Sequence, residues 1–358
     1  MSGWGPATTL RQRLIIRLAV GDDEAIDTTC CDHWSPEGEP MPLLDALNAF
    51  LAEMAEQGVK PIHESTPEEV RALTAGLAEL YGKGPDMARV EDTTIPVEGG
   101  SIKARILVPT ASPRGVFIYY HGGGWVIGGN IDEFDTLGRT LAARTGCAVV
   151  LVDYRLAPEF RYPVAVDDSY AALTWVHAHV RDIAGREVPI VVGGDSAGGN
   201  LSAIMAQRSR DRGGPPIAFQ ALIYPVTDAD LDNASYTAAE NQLMLNRDSM
   251  IWFWDHYCPD VERRTEPDAS PLRATDFSGL PPAIVLTAEY DVLREEGEAY
   301  ADRLEAAGVP VDRYRYPGQM HGFFTLLMLP GSERGFQQVV RAVRASTIAH
   351  EKAAAAVH

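Results

Sequence analysis

The sequence predicts an α/β protein in which helices cover both faces of a mostly parallel sheet and a helical cap lies over one end. Short apolar runs that are typical of buried strands recur along the chain, and helical patterns separate most of them. Two stretches, 43–80 and 228–272, lack any strand pattern. We therefore expect these two stretches to be helices added to the sheet. The functional residues of such a protein lie at the carboxyl ends of the strands.

The chain begins with a segment that favours helices. Residues 1–40 hold a basic-apolar stretch and then an acidic one, and we expect either a loosely attached arm or a docked helix. Apolar residues then recur at helical spacing, at Leu43, Leu44, Leu47, Phe50, Leu51 and Met54. Thr66, Pro67 and Glu69 form a capping box, and the helix after it places Val70, Leu73, Leu77 and Leu80 on one face. Residues 1–85 are thus predicted to be an arm and cap helices.

Segments 86–227 and 273–358 are predicted to be the two parts of one catalytic core. An antiparallel pair is expected at 94–97 and 102–108, around Gly99 and Gly100. Buried strands are predicted at 116–120, 148–152, 190–192, 219–224 and 283–287, with a further strand-like run at 311–316. Helical patterns lie at 135–144, 164–180 and 201–210. This alternation implies right-handed crossovers between parallel strands. The end of the chain, which includes His350 and His358, is interpreted as a polar-to-alanine tail.

Residues 228–272 interrupt the alternation and are predicted to be a cap insertion. The aromatic stripe from Met250 to Tyr257 favours a helix. It is either plain helix core or a helix that faces both the core and an apolar pocket. An insertion on the catalytic side is a typical position for a lid. Trp252 and Phe253, together with Leu243 and Met244, are therefore candidates to line a substrate pocket.

A candidate nucleophile follows the strand at 190–192. Gly194-Asp195-Ser196-Ala197-Gly198 matches the G-x-S-x-G pattern, in which a sharp strand-to-helix turn exposes a strained serine. The plain alternative is a glycine-rich connection between a strand and a helix. The apolar strand before the pattern and the helix after it favour Ser196 as the nucleophile.

A second glycine-rich motif, His121-Gly122-Gly123-Gly124-Trp125, follows the strand at 116–120. Successive glycines allow backbone N–H groups to converge on one point, as an oxyanion requires. Gly122, Gly123 and Ala197 are predicted to be the oxyanion-hole donors, and His121 is expected to order the loop rather than to transfer protons. A flexible turn is the alternative. Phosphate binding is disfavoured because no Gly-Lys-Ser/Thr follows.

A base and an acid are expected after the nucleophile. His321 lies in a loop after the strand-like run at 311–316, and its position favours the base. The acid should follow the strand at 283–287. Asp291 is the first candidate for it, and Glu289, which could instead brace the loop, is the alternative.

Composition excludes several classes of protein. A formal net charge of -19 argues against binding to nucleic acid. No apolar run approaches the roughly 20 residues that a membrane span needs, and the apolar stretch near the N-terminus lacks a signal-peptide cleavage pattern. The four cysteines match no zinc pattern. We expect a cytoplasmic enzyme that needs no metal or organic cofactor.

Five ordered motifs together resemble the hormone-sensitive-lipase family of bacterial esterases. They are His121–Trp125, Tyr154–Glu159, Gly194–Asn200, Asp291–Arg294 and His321–Phe323. The resemblance implies the α/β-hydrolase fold with a helical cap, serine hydrolysis of carboxylic esters with short-to-medium acyl chains, and a homodimer. Residues 1–40 are longer than the usual start of the family. Phe160 replaces a histidine that is often found after Ala-Pro-Glu.

Other functions of the same scaffold are kept as alternatives. A serine triad and an oxyanion hole also serve the hydrolysis of amides, carbamates and lactones. A non-catalytic ligand-binding relative is a further alternative, but such proteins lose a triad residue, and all three candidates are present here.

Overall fold

A computed structural model of the 358-residue chain describes residues 42–78 and 81–356. The predicted arm at 1–40 lies outside the described residues, as do Leu80 and His358.

The described chain contains one sheet of eight strands. They are β1 (Arg89–Val97), β2 (Gly100–Val108), β3 (Val116–Tyr120), β4 (Ala148–Asp153), β5 (Ile190–Asp195), β6 (Phe219–Ile223), β7 (Ala283–Tyr290) and β8 (Val311–Met320). Their spatial order is β1-β2-β4-β3-β5-β6-β7-β8. Strand β2 is antiparallel to both β1 and β4, and every other pair is parallel. The expected hairpin is confirmed, because Val97 pairs with Gly100.

Helices connect most of the parallel strands, which confirms the predicted α/β class. They are α1 (Asp45–Glu56), α2 (Pro67–Ala78), α3 (Asp135–Thr145), α4 (Val164–Ala178), α5 (Val180–Ala184), α6 (Ala197–Arg212), α7 (Ala234–Thr237), α8 (Arg247–Tyr257), α9 (Arg294–Ala306) and α10 (Pro330–Ala356). None of the helices in the described ranges has the length and apolar content that a bilayer span requires.

Side chains that alternate along the buried strands pack on opposite faces of the sheet. On β3, Val116, Ile118 and Tyr120 belong to a cluster that includes residues of α4 and α6. Phe117 and Tyr119 belong to a second cluster that includes residues of α3 and α10. Because strand side chains point to alternate faces, a continuous apolar run can supply two cores at once. The helices therefore cover both faces of the sheet.

The C-terminal stretch differs from the sequence interpretation. The supposed polar tail is a 27-residue helix, α10, and His350 lies on it. Phe336, Val339 and Val343 are buried against the sheet. Their spacing of three and four residues places them on one helix face, a signal that the alanine-rich composition of the last residues obscured.

The two N-terminal helices pack beside the ends of the sheet that carry the sequence motifs. Leu47 and Phe50 of α1 share a cluster with Met320 and Leu326, which flank the candidate base His321. Ahead of α2 the predicted capping box is confirmed: the Glu69 N–H donates to Thr66 Oγ1 at 3.2 Å, and the Thr66 N–H donates to Glu69 Oε2 at 2.9 Å.

The insertion between β6 and β7, which the structure describes in full, contains helices and turns without a strand. Helix α8 buries Met250, Phe253, Trp254 and Tyr257. Its rings also contact the loop after β3, since Trp125 stacks on Tyr257 with ring centroids 4.2 Å apart. The aromatic stripe thus serves the core and reaches the candidate site. The boundaries at residues 85, 227 and 272 stay predictions.

Candidate active site

Ser196 lies in the sharp turn between β5 and α6. Its backbone has φ 54° and ψ -118°, a conformation that is strained for a residue with a Cβ. A Cβ on either Gly194 or Gly198 would collide with the carbonyl oxygen of Tyr120. The two glycines therefore allow β3 and the turn to approach closely. The Ser196 N–H donates to the Ile223 carbonyl at 2.8 Å, which fixes the turn to β6.

The structure brings Ser196, His321 and Asp291 into one hydrogen-bonded chain. Ser196 Oγ lies 3.1 Å from His321 Nε2, and His321 Nδ1 lies 2.7 Å from Asp291 Oδ2. The other carboxylate oxygen, Asp291 Oδ1, accepts a hydrogen bond from the Leu293 N–H at 2.9 Å. Asp291 is 1 % exposed and Ser196 is 7 % exposed, so the chain of contacts is almost closed to solvent. This geometry suits transfer of the serine proton to the imidazole.

Glu289, the alternative acid, makes a hydrogen bond to the loop before His321. Its Oε2 accepts a hydrogen bond from the Gly318 N–H at 2.7 Å. Gly318 has φ 66° and precedes His321 by three residues. Glu289 therefore braces the loop that carries His321, while Asp291 contacts the imidazole of His321 itself.

The N–H of Gly122, a predicted oxyanion donor, already has an acceptor in the structure. Its N–H donates to Asp195 Oδ1 at 2.9 Å and so is already engaged. The N–H groups of Gly123, Gly124 and Ala197 have no hydrogen-bond acceptor among residues 42–78 and 81–356. Gly124, which is not among the predicted donors, thus has an available N–H group, whereas that of Gly122 is engaged. The sequence does not indicate that the Gly122 N–H is engaged, because this contact depends on where folding places the carboxylate of Asp195.

The Asp195 carboxylate is buried next to the candidate nucleophile, Ser196. Asp195 Oδ1 also accepts a hydrogen bond from the Tyr119 hydroxyl at 2.7 Å. Burial raises the pKa of Asp195, and the two hydrogen bonds oppose that change. Asp195 therefore joins the ends of β3 and β5 and holds the beginning of the glycine loop.

His121 is positioned to order this loop, as the sequence suggested. Its ring lies between Phe134 and Tyr154, with centroids 4.6 and 4.3 Å away. Nδ1 donates to the Gly122 carbonyl at 2.7 Å, and Nε2 has no partner within the described ranges. Burial lowers the pKa of His121 to about 4, so the ring is neutral near pH 7.

Two of the four substrate-pocket candidates contact the site loops directly. Phe253 is packed so closely on Gly124 that a Cβ there would collide with its ring. A Cβ on Gly322, next to His321, would lie 3.1 Å from Met244 Cε. Leu243 packs in the cluster of α1 with Met244. The ring contacts of Trp252 are with Phe253 and His256.

Tyr224 is a neighbour of His321 that the sequence analysis did not single out. Its ring centroid lies 4.6 Å from that of His321, and its hydroxyl lies 3.3 Å from Thr325 Oγ1. It follows β6 directly and has φ 34°. Its position at the carboxyl end of β6, the strand that pairs with β5, is a signal that the sequence offers.

An eight-stranded, mostly parallel sheet with a strained serine between β5 and α6 defines an α/β hydrolase. Residues 117–325 match a protein family described by the alpha/beta hydrolase fold. The chain belongs to this family.

Named relatives specify the class further. The chain is 43% identical over 268 residues to carboxylesterase NlhH of Mycobacterium tuberculosis, covering 72% of this chain and 84% of that protein. It is 32% identical over 319 residues to ethyl acetate hydrolase of Pseudomonas putida, covering 85% and 99%. The solved structure of a hyperthermophilic esterase from the archaeon Pyrobaculum calidifontis superposes with a TM-score of 0.79 at 38% identity, covering 85% of this chain and 99% of that one. The resemblance to these esterases is thereby confirmed, and the protein is a carboxylic ester hydrolase.

Proposed function

We propose that the protein hydrolyses esters of short-to-medium acyl chains through an acyl-enzyme on Ser196. The observation that carries this proposal is the continuous contact of Ser196 Oγ with His321 Nε2 at 3.1 Å and of His321 Nδ1 with Asp291 Oδ2 at 2.7 Å. A serine hydroxyl is a weak nucleophile, and an adjacent base oriented by a third group activates it.

In the first half of the reaction, Ser196 Oγ attacks the ester carbonyl carbon while its proton passes to His321 Nε2. Asp291 holds the imidazolium that forms. Collapse of the tetrahedral intermediate breaks the bond to the alcohol oxygen, and His321 returns the proton to that oxygen. The acyl group is then bonded to Ser196. In the second half, water attacks the acyl carbon while His321 Nε2 takes its proton. The bond between the acyl carbon and Ser196 Oγ then breaks, His321 returns the proton to Ser196 Oγ, and the carboxylic acid leaves.

The N–H groups of Gly123, Gly124 and Ala197 are the proposed donors to the oxyanion. They have no other acceptor in the part of the chain that the structure describes, so no internal hydrogen bond must break when the oxyanion forms. A donor of this kind contributes about 3–4 kcal/mol to transition-state stabilisation.

The preference for short acyl chains is supported by the coverage of the nucleophile. Ser196 is 7 % exposed, and Phe253 packs directly on Gly124. One relative is named for ethyl acetate, an ester with a two-carbon acyl group. The elements around α1, α2 and α8 act in this proposal as the cap that sets the length of the pocket. A homodimer and a cytoplasmic location stay predictions.

Ser196→Ala tests the proposed nucleophile. We expect loss of the burst of nitrophenol from a nitrophenyl ester and loss of labelling by a fluorophosphonate. Turnover at the wild-type rate would show that another residue attacks the ester. Rates on nitrophenyl esters of increasing chain length test the chain preference, and a matched amide tests whether the site also acts on amides.

A further inference from the structure

Arg71 of α2 joins the N-terminal cap to two loops of the catalytic core. Its Nε donates to the Val126 carbonyl at 2.7 Å, and its Nη2 donates to the Ala157 carbonyl at 2.8 Å. The same guanidinium forms a bidentate pair with Glu159, with distances of 2.7 and 2.8 Å. One side chain from the cap thus makes four hydrogen bonds to the core.

Val126 belongs to the turn that carries two of the proposed oxyanion donors. The N–H groups of Val126 and Ile127 donate to the Gly123 carbonyl at 3.0 and 2.8 Å, which closes the turn. The Trp125 carbonyl accepts a hydrogen bond from the Ala157 N–H at 2.9 Å. Arg71 donates to the carbonyls of Val126 and Ala157. It therefore links the turn to the loop that contains Ala157.

The turn depends on such external contacts. Trp125 has φ 60°, which costs free energy for a residue with a Cβ. A Cβ on Gly123 would lie 2.5 Å from the Ile127 carbonyl oxygen, so the turn is closely packed. A displacement of the Val126 backbone is therefore expected to displace the backbone of Gly123 and Gly124.

We propose that Arg71 is a positioning residue for the oxyanion hole, acting from the cap through the Val126 and Ala157 carbonyls. The inference rests on the proposed function, since it presumes that Gly123 and Gly124 bind the oxyanion. The cap then does more than cover the nucleophile: its second helix helps to set the geometry of the donors.

The planar fork of arginine is what the two carbonyls require. Nε and Nη2 point in fixed directions and reach both oxygens at once, whereas a lysine ammonium is a single point charge. Glu159 is 47 % exposed on its side chain, so the ion pair itself contributes little to stability. Its role is to orient the guanidinium, and the contacts of Arg71 lower the pKa of Glu159 to about 2.

The test compares Arg71→Lys, Arg71→Met and Glu159→Gln with the wild-type full chain. Arg181→Lys is the matched control, because Arg181 pairs with Glu187 on an exposed part of the surface. Active sites are titrated to completion with a fluorophosphonate, and kcat and KM for nitrophenyl acetate are calculated per titrated site. Thermal unfolding is recorded for each variant.

Loss of one oxyanion donor costs about 10²–10³ in kcat, so displacing the turn should cost about tenfold. We expect that loss in both Arg71 variants, with KM within about twofold, since the oxyanion exists only in the transition state. Glu159→Gln should lose less than Arg71→Lys, and the control should match the wild type.

Three results would overturn the proposal. Wild-type kcat per site in Arg71→Lys would show that the fork is not needed. Fewer titratable sites at unchanged kcat per site would mean that Arg71 serves folding only. A loss in Glu159→Gln as large as that in Arg71→Lys would assign the effect to the ion pair. If Arg71→Met does not fold, Arg71→Lys decides the question. Ser196→Ala tests the proposed function separately, because its outcome does not depend on Arg71.

Discussion

The neutral, buried imidazole of His121 should make the stability of the fold depend on pH. His121 is 4 % exposed, and its pKa falls from 6.5 to about 4 on folding because burial disfavours the charged ring. We therefore expect His121→Asn to reduce the loss of stability that acid causes. Asparagine is chosen because its amide N–H group can replace Nδ1–H as the donor to the Gly122 carbonyl, and it does not titrate.

The sign and size follow from proton linkage. Between pH 6.5 and pH 4 the unfolded chain binds a proton at residue 121 that the folded protein does not, so stability falls as the pH falls through that range. One pKa unit corresponds to about 1.4 kcal/mol, which makes the full effect about 3 kcal/mol below pH 4. Between pH 7 and pH 5 the expected loss is about 2 kcal/mol.

Urea unfolding at pH 7 and pH 5 measures the effect, with the asparagine variant compared at both values. A comparison is necessary because other groups titrate in the same range. Burial raises the pKa of Glu133 to about 7 and that of Asp153 to about 6. These carboxyls take up protons in the folded state first, so they stabilise the fold as the pH falls. The difference between variant and wild type isolates His121.

The variant is expected to lose stability at pH 7, because asparagine cannot replace the ring between Phe134 and Tyr154. That loss is the same at both pH values. The informative quantity is the change in free energy of unfolding from pH 7 to pH 5, which should be about 2 kcal/mol less unfavourable in the variant. An identical change in both proteins would refute the assignment of a neutral, buried imidazole.

Three further substitutions test other parts of the structure. Asp291→Asn should lower kcat on the order of 10⁴-fold, since an amide favours the wrong imidazole tautomer. The kcat of Glu289→Gln should stay within about tenfold of the wild-type value. A larger loss of kcat in Glu289→Gln than in Asp291→Asn would exchange the roles of the two residues. Phe253→Ala should open the space over Gly124. The ratio of kcat/KM for nitrophenyl octanoate to that for nitrophenyl acetate should then rise by about tenfold, because two more methylenes can be buried. An unchanged ratio would place the acyl pocket elsewhere. Phe336→Ala should lower the free energy of unfolding in urea by about 3–5 kcal/mol, because this buried ring stacks on Phe324 with centroids 4.4 Å apart. A decrease below about 1 kcal/mol would contradict the packing of α10 on the sheet.

Most of the fold was predictable because its signals are local. Apolar runs of strand length, the capping box at Thr66 and the G-x-S-x-G pattern around Ser196 each depend on neighbouring residues only. The long C-terminal helix was not predicted, because the alanine-rich composition at its end obscures the helical spacing of Phe336, Val339 and Val343. Tyr224 was missed because its contact with His321 joins residues that are far apart in the chain.

The sequence by itself determined which residues stand at strand ends in the order serine, acid and histidine, because motif spacing and strand patterns are properties of the linear chain. Only the tertiary structure decided which partners these residues take. It directs Asp291 to the imidazole and Glu289 to Gly318, and it engages the Gly122 N–H with Asp195. Hydrogen bonds select among donors and acceptors by distance and direction, and those are set when distant segments pack together.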